Sequence, residues 1–211
     1  MWSDGMLQQL LDALARQPFM WNLLRNVAEF GFVADYRVIE RELNPFGGDT
    51  SRRFLDYGCG TGQFARSFPA ERYIGFDVAE HYVSYAKKRY GREFLVMSGD
   101  LLGFHDGSFD AALIMGVFHH LDDAFVRRAA QELHRVITTD GTILMVEDIP
   151  TQHRWNVFGR AMHWLDRGNN IRGVTHYQEL MEPFFRIERS HTMLSGICDL
   201  GVYVLRRNST V

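Results

Sequence analysis

Several things are scarce in this chain, and each scarcity narrows what it can be. Two cysteines in 211 residues, Cys59 and Cys198, are too few for a disulfide framework. Neither lies in a Cys-x-x-Cys or His-containing metal spacing, so a cytoplasmic setting is expected and a metal centre is not. The longest clean apolar run, 111–118, is far short of a membrane span. The first residues, Met-Trp-Ser-Asp-Gly, lack the basic region of a secretory leader. Excess charge is also missing: Lys and Arg number 23 against 26 acids, a net charge of -3, so no global basic field points to nucleic acid. There is no internal repeat and no low-complexity tract. With 46% apolar and 23% charged residues, one globular domain with one sizeable core is expected over 1–211.

What the chain does have is glycine in one telling place. In the stretch 55–63, Leu-Asp-Tyr-Gly-Cys-Gly-Thr-Gly-Gln, three glycines at alternate positions follow a short apolar run. This reads as strand, tight turn and the start of a helix near Gly62. Glycine permits positive φ and lets backbone amides approach a ligand, while a helix beginning there would aim its positive end at an anion. A nucleotide-like cofactor is the expected guest, although such turns also serve as plain connections.

Apolar positions Met6, Leu7, Leu10, Leu11 and Leu14 recur at helical spacing, and Pro18 ends that helix. A second helical pattern over 21–43, weakened at Gly31, carries Trp21, Phe30, Phe32 and Tyr36, with Phe19 just before it; it reads as packing on the sheet or as a lid over 1–48. From residue 53 apolar runs alternate with helical segments, the signature of βαβ units and a parallel sheet. Strands are expected over 53–57, 73–76, 93–97, 109–115 and 142–147. Helices are expected over 79–90 and after Asp122 or Asp123, with Asp140-Gly141 turning the chain into the fifth strand. Thr175 and Gln178 form a capping box for a short helix. Two late apolar runs, 185–190 and 201–206, predict an antiparallel finish.

In an open α/β sheet, ligands bind beyond the carboxyl ends of the strands. Asp56, Asp77, Asp100 and the pair His119-His120 stand there, one set per strand. Asp77 lies 19 residues after Gly58, about the interval at which an acid accepts from ribose hydroxyls. Asp100 could accept from an adenine amine. The alternative register Gly60-x-Gly62-x-x-Ala65 matches a nicotinamide-dinucleotide fingerprint, but it starts later after the strand and leaves Asp56 without a role.

These residues resemble a class I S-adenosylmethionine-dependent methyltransferase of the methyltransferase type 11 kind, over about 53–149. The first family motif is similar to Asp56 with Gly58, Gly60 and Gly62, the second to Asp77, and the third to Gly99-Asp100-Leu101. Ser108-Phe109-Asp110 through Phe118-His119-His120-Leu121 resembles the fourth strand and its sequel, and Glu132-Leu133-His134-Arg135-Val136 the next helix. Thr139-Asp140-Gly141 departs from the usual Pro-Gly-Gly turn. The resemblance implies a Rossmann-like, doubly wound, seven-stranded mostly parallel sheet with an antiparallel last strand. It implies S-adenosyl-L-methionine as cofactor, held by Asp56, Gly58, Cys59, Gly60, Gly62, Asp77, Val78, Asp100, Leu101 and Met115.

Methyl transfer from a sulfonium is an in-line displacement in which positioning can supply on the order of 7–11 kcal/mol. A hydroxyl or protonated amine acceptor would also need a base, and His119, then His120 and Glu147, are the candidates. Both histidines could instead only shape the pocket. The segment 152–167 sets Trp155, Phe158, Met162 and Leu165 on one helical face and His153, Arg160, His163 and Arg167 on another, and 151–173 carries a local net charge of +3. This acceptor-side cap suits an anionic or lipid-like acceptor, or peripheral membrane contact, as well as a plain solvated face. The expectation is therefore methyl transfer to a small-molecule or lipid-like acceptor, without nucleic acid; a silent cofactor-binding subunit supporting a partner and an oxidoreductase are the alternatives.

Overall fold

The computed structural model describes residues 26–27, 29–152, 156 and 170–208. The helix expected around 6–14, the aromatics Phe19 and Trp21, and nearly all of the basic amphipathic segment lie outside them. Within them, helix α1 (Val33–Leu43) precedes strand β1 (Phe54–Tyr57), β2 (Tyr73–Asp77), helix α2 (Glu80–Tyr90), β3 (Glu93–Val96) and β4 (Phe109–Met115). Helix α3 (Asp123–Val136), β5 (Ile137–Asp148), helix α4 (Val174–Met181), β6 (Phe185–Ser195) and β7 (Cys198–Arg207) complete the order.

The seven strands form one sheet in the order β3-β2-β1-β4-β5-β7-β6. The first five are parallel; β7 runs antiparallel between β5 and β6, as the expected fold requires. β1 lies between β2 and β4, with Asp56 registered against Gly75 and Leu113, so its carboxyl end opens at the point where the strand order reverses. Alternating strand residues feed two cores. On one face Leu55, Tyr57, Ile114 and Met145 pack with Val126, Leu133 and Leu180 from α3 and α4. On the other, Phe54, Leu113, Leu144 and Val146 pack with Val38, Ile39, Val83 and Ala86 from α1 and α2. Each fully buried side chain of this size contributes roughly 1.5–3 kcal/mol, which fixes the strand ends that carry polar residues.

Four local expectations are corrected. No α-helix begins near Gly62: turns lead to a 3-10 turn, Ala65–Ser67, because Pro69 holds Phe68 extended (φ -123°, ψ 154°) and leaves too few residues for a helix. Thr175 does not cap α4; Gly173 is the N-cap residue without a side-chain bond, and Gln178 Nε2 donates instead to Ser190 Oγ at 2.9 Å. β5 does not start after a turn at Asp140-Gly141. α3 passes directly into it, and the pairing jumps from Phe109 with Ile137 to Ala111 with Thr142, so 138–141 is accommodated as an irregularity within the strand. Finally β6 and β7 run on into a hairpin closed at Gly196 (φ 58°), longer than the apolar runs implied, because β6 is an edge strand whose outward residues are polar.

The helix pattern over 21–43 is interrupted where Gly31 weakened it. Phe30, Gly31 and Phe32 all have positive φ, 48°, 75° and 57°. A left-handed phenylalanine costs roughly 1–2 kcal/mol, and Phe32 is held there by burial and by an edge-to-face contact with Phe64, ring centroids 5.6 Å apart.

Candidate active site

A cavity of about 340 Å³ opens beyond the carboxyl ends of β1, β2, β4 and β5. Its glycine loop is built from backbone bonds: Cys59 N donates to Phe76 O and Gly62 N to Cys59 O, each at 2.8 Å. Gly58 is required there on two counts, a φ of 66° and the Val117 side chain 2.7 Å from where a Cβ would sit. Asp77 closes the loop from β2, accepting from Gly60 N at 2.9 Å through Oδ2 and from Ala79 N at 2.8 Å through Oδ1. Asp56 lies at the cavity floor, 2% exposed, and accepts from the Tyr73 hydroxyl at 2.7 Å. Burial pushes its carboxyl up to about 7, the Tyr73 hydrogen bond opposing and the charge of Asp77 adding to the rise.

On the other side, the 3-10 turn Phe118–His120 presents His119 and His120, with ring centroids 4.0 Å apart. Glu147 at the end of β5 holds this turn from beneath. Its carboxylate accepts from Val117 N (2.9 Å), Phe118 N (2.8 Å), His119 N (3.2 Å) and His119 Nδ1 (2.9 Å). Three converging backbone amides make an anion nest; a carboxylate there only accepts, so the proton of the Nδ1 contact belongs to the ring and the basic lone pair of neutral His119 lies on Nε2. Asp148 Oδ2 is 3.6 Å from the same Nδ1. From above, Arg172 donates to Phe118 O (2.7 Å), Leu121 O (2.6 Å) and Asp123 Oδ1 (2.8 Å), and Asn170 N donates to His119 O at 3.0 Å.

Of the residues expected at the site, the structure gathers Asp56, Gly58, Cys59, Gly60, Asp77, Val78, Met115, His119 and His120 around the cavity. Burial raises the Cys59 thiol far above its ordinary range, with the charges of Asp56 and Asp77 adding to the effect. Gly62, Asp100, Leu101 and Glu147 do not line the cavity. Gly62 packs against Tyr90 and Phe94, and Glu147 is fully buried below the His119 turn. The Asp100 carboxylate accepts from Ser98 Oγ at 2.5 Å and Arg128 Nε at 3.1 Å, bonds that lower its affinity for a proton. Leu101 and Val78 are large apolar side chains left exposed at the strand ends, 74% and 76%.

Phe32, read from the sequence as sheet packing or lid, is part of the cavity wall; sequence reasoning missed Gln63, Phe64, Tyr82 and Asp148 there, and Arg172 as the clamp of the His119 turn. Gln63 is tied to α1, its Nε2 donating to the Tyr36 hydroxyl at 2.8 Å while that hydroxyl donates to Gln63 O at 3.1 Å. Only Gln63 and Phe64 carried a local signal, their place beside the glycine loop. Among the described residues, no group of three or more His, Cys, Asp or Glu is arranged to hold a metal, and no helix is long and apolar enough to cross a membrane.

Comparison with known proteins agrees with this geometry. Residues 55–145 match the methyltransferase domain family. A tRNA (carboxymethyluridine(34)-5-O)-methyltransferase of Arabidopsis thaliana is 27% identical over 143 residues, 64% of this chain and 34% of that protein. A malonyl-[acyl-carrier protein] O-methyltransferase of Legionella pneumophila is 29% identical over 101 residues, 44% of this chain and 35% of that protein. The chain spans less than half the length of the curated relatives it matches. The crystal structure of a SAM-dependent methyltransferase from Methanosarcina mazei superimposes with a TM-score of 0.62 at 17% identity, covering 78% of this chain and 96% of that one. Relatives named for tRNA and for an acyl carrier leave the acceptor class unfixed, and the expected exclusion of nucleic acid finds no support in them. Over residues 55–145 the chain is thus similar to the methyltransferase domain, and its strand order and architecture share the fold of the superimposed SAM-dependent methyltransferase.

Proposed function

We propose that the cavity binds S-adenosyl-L-methionine and that the protein methylates a small, protic acceptor presented on the His119 side. The observation that carries the donor is the charge of the wall. Among the described residues the cavity is lined by Asp56, Asp77 and Asp148 and by no lysine or arginine. Such a wall favours a cationic guest and opposes the pyrophosphate of a nicotinamide dinucleotide, which the alternative glycine register would require. Exposed Val78 at the cavity wall supplies apolar cover for a base, and Asp77, beside it, is the acceptor for ribose hydroxyls.

Bound S-adenosylmethionine supplies an electrophilic methyl group on a positively charged sulfur. The chain's own work is to hold and orient. The glycine loop and Asp77 fix the donor, Phe32 and Phe64 close the wall over it, and the clamped turn presents His119. With Nδ1–H directed to Glu147, the His119 ring has its basic lone pair on Nε2, the atom suited to accept a proton from a hydroxyl or ammonium acceptor. Glu147 then orients the base rather than acting as one.

Direct titration with S-adenosylmethionine and S-adenosylhomocysteine, followed by acceptor screening for released S-adenosylhomocysteine, tests the reading. The screen should span small hydroxyl and amine compounds, lipid intermediates, acyl-carrier conjugates and tRNA. Asp77→Ala should weaken donor binding at least tenfold, about 1.4 kcal/mol. Unchanged affinity contradicts the site, and tight binding with no product from any class favours the silent-subunit alternative.

A further inference from the structure

The three carboxylates of the cavity are not equivalent. Asp77 accepts from two backbone amides, Gly60 N and Ala79 N. Asp148 sits beside the imidazole of His119. Asp56 has neither aid: it lies on the floor of the cavity, buried, with a neutral phenol, Tyr73, donating to it.

We infer that Asp56 is a proton-linked selector of methyl donor over product: the cationic donor binds with the carboxylate ionised and its proton sent to solvent, and the proton returns when the uncharged thioether product occupies the cavity. This rests on the reading that the cavity takes S-adenosylmethionine. Donor and product differ by the one positive charge on sulfur, so a group that changes charge in the same cavity is placed to read that difference. Burial already puts the carboxyl at the edge of ionisation, at about 7. A nearby cation in a poorly screened cavity favours the charged form.

The groups that face Asp56 make it the natural reporter. From β2 come Tyr73, whose hydroxyl is kept protonated by burial, and the carboxylate side chain of Asp77, with the Arg92 guanidinium over the Tyr73 ring at 5.8 Å. From the glycine loop comes the Cys59 thiol, and from β4 the uncharged Leu113 in register. His119, His120 and Asp148 line the same cavity from β5 and the turn before α3.

Calorimetric titration at pH 7 in two buffers of different ionisation enthalpy counts the protons. The donor should release about half a proton per site and the product clearly less. Donor affinity should tighten about tenfold from pH 6 to pH 8, and product affinity by less than about threefold. Asp56→Asn, which keeps an oxygen for the Tyr73 hydroxyl, should abolish the donor-linked release and flatten the donor's pH profile. Equal release by donor and product overturns the selector, as does release that survives in Asp56→Asn, which would assign the proton to a neighbour such as His119. The wild-type protein gives an answer without the variant: donor binding with no proton exchange and equal affinity at both pH values also overturns it. Binding of neither ligand refutes the cofactor reading itself, a separate and recognisable failure.

Discussion

Removing Glu147 tests both the architecture of the site and the orientation of its base. Its carboxylate is 0% exposed and is the acceptor for three successive amides and for His119 Nδ1. Glu147→Ala leaves these donors buried without an acceptor and opens a void below the turn. Each hydrogen bond to a charged group is worth roughly 1.5–3 kcal/mol, but the four share two oxygens and the ion's own desolvation offsets part of the gain. A net loss of about 3–5 kcal/mol follows, the size seen when one partner of a buried charged contact is deleted. For a domain of this size that lowers the midpoint of thermal melting by roughly 6–20 °C. Urea unfolding gives the free energy, and amide hydrogen exchange locates it, since protection at Val117, Phe118 and His119 should fall most. Glu147→Gln keeps one accepting oxygen, so it should lose less stability yet still change the His119 tautomer balance, readable from ring nitrogen NMR shifts. Stability of Glu147→Ala within about 1 kcal/mol of wild type, with the His119 ring signals unmoved, would refute the account of the turn.

Three further outcomes follow from the packing and the charges. Gly99→Ala should cost about 1–3 kcal/mol in urea unfolding, because its methyl would overlap the Tyr57 hydroxyl and that ring is confined between Phe76 and Phe118, centroids 4.8 and 5.6 Å away. Asp56, with its carboxyl raised from 3.8 to about 7, binds a proton more tightly folded than unfolded. Stability without ligand should therefore fall as pH rises from about 4 to beyond 7, by up to about 4 kcal/mol, and Asp56→Asn should remove that slope in urea titrations across the window. Arg172→Ala should release the carbonyls of Phe118 and Leu121, lower stability by about 2–4 kcal/mol, and leave Asp77-dependent donor binding nearer wild type than acceptor turnover.

The glycine-loop wall of the cavity was legible because it is written in short, local code. Asp56, the glycines and Asp77 sit at strand ends that periodicity locates within one residue, and strand-end position alone predicts convergence on the switch point. The parts that were illegible depend on partners far away in sequence. Arg172 finds Asp123, 49 residues earlier, and Gln63 finds Tyr36, 27 residues earlier; nothing near either residue announces the pairing. The contact of Asp100 with Arg128 on α3, 28 residues later, was hidden for the same reason. The missing helix after Gly62 was a different kind of failure: Pro69 was in plain view, and its restriction on Phe68 outweighs the helical promise of the glycine turn.

The two walls of the cavity are held by different physics, and that difference bears on how the domain can vary. The His119 wall hangs on a buried anion below and a buried cation above, Glu147 and Arg172, both directed at backbone atoms of one turn. Backbone recognition constrains the path of the turn but not the side chains it carries, so His120 or Leu121 could change with the acceptor while the clamp persists. The opposite wall is apolar and strained: Phe32 is held in a left-handed conformation against Phe64, beside the Tyr36–Gln63 link. A residue kept there at a cost persists only where its surroundings fix it, so the approach from α1 is coupled to the glycine loop through few contacts. The Asp56 and Asp77 side of the cavity is thus set by the strand ends of the sheet, and the His119 side by a turn clamped through its backbone.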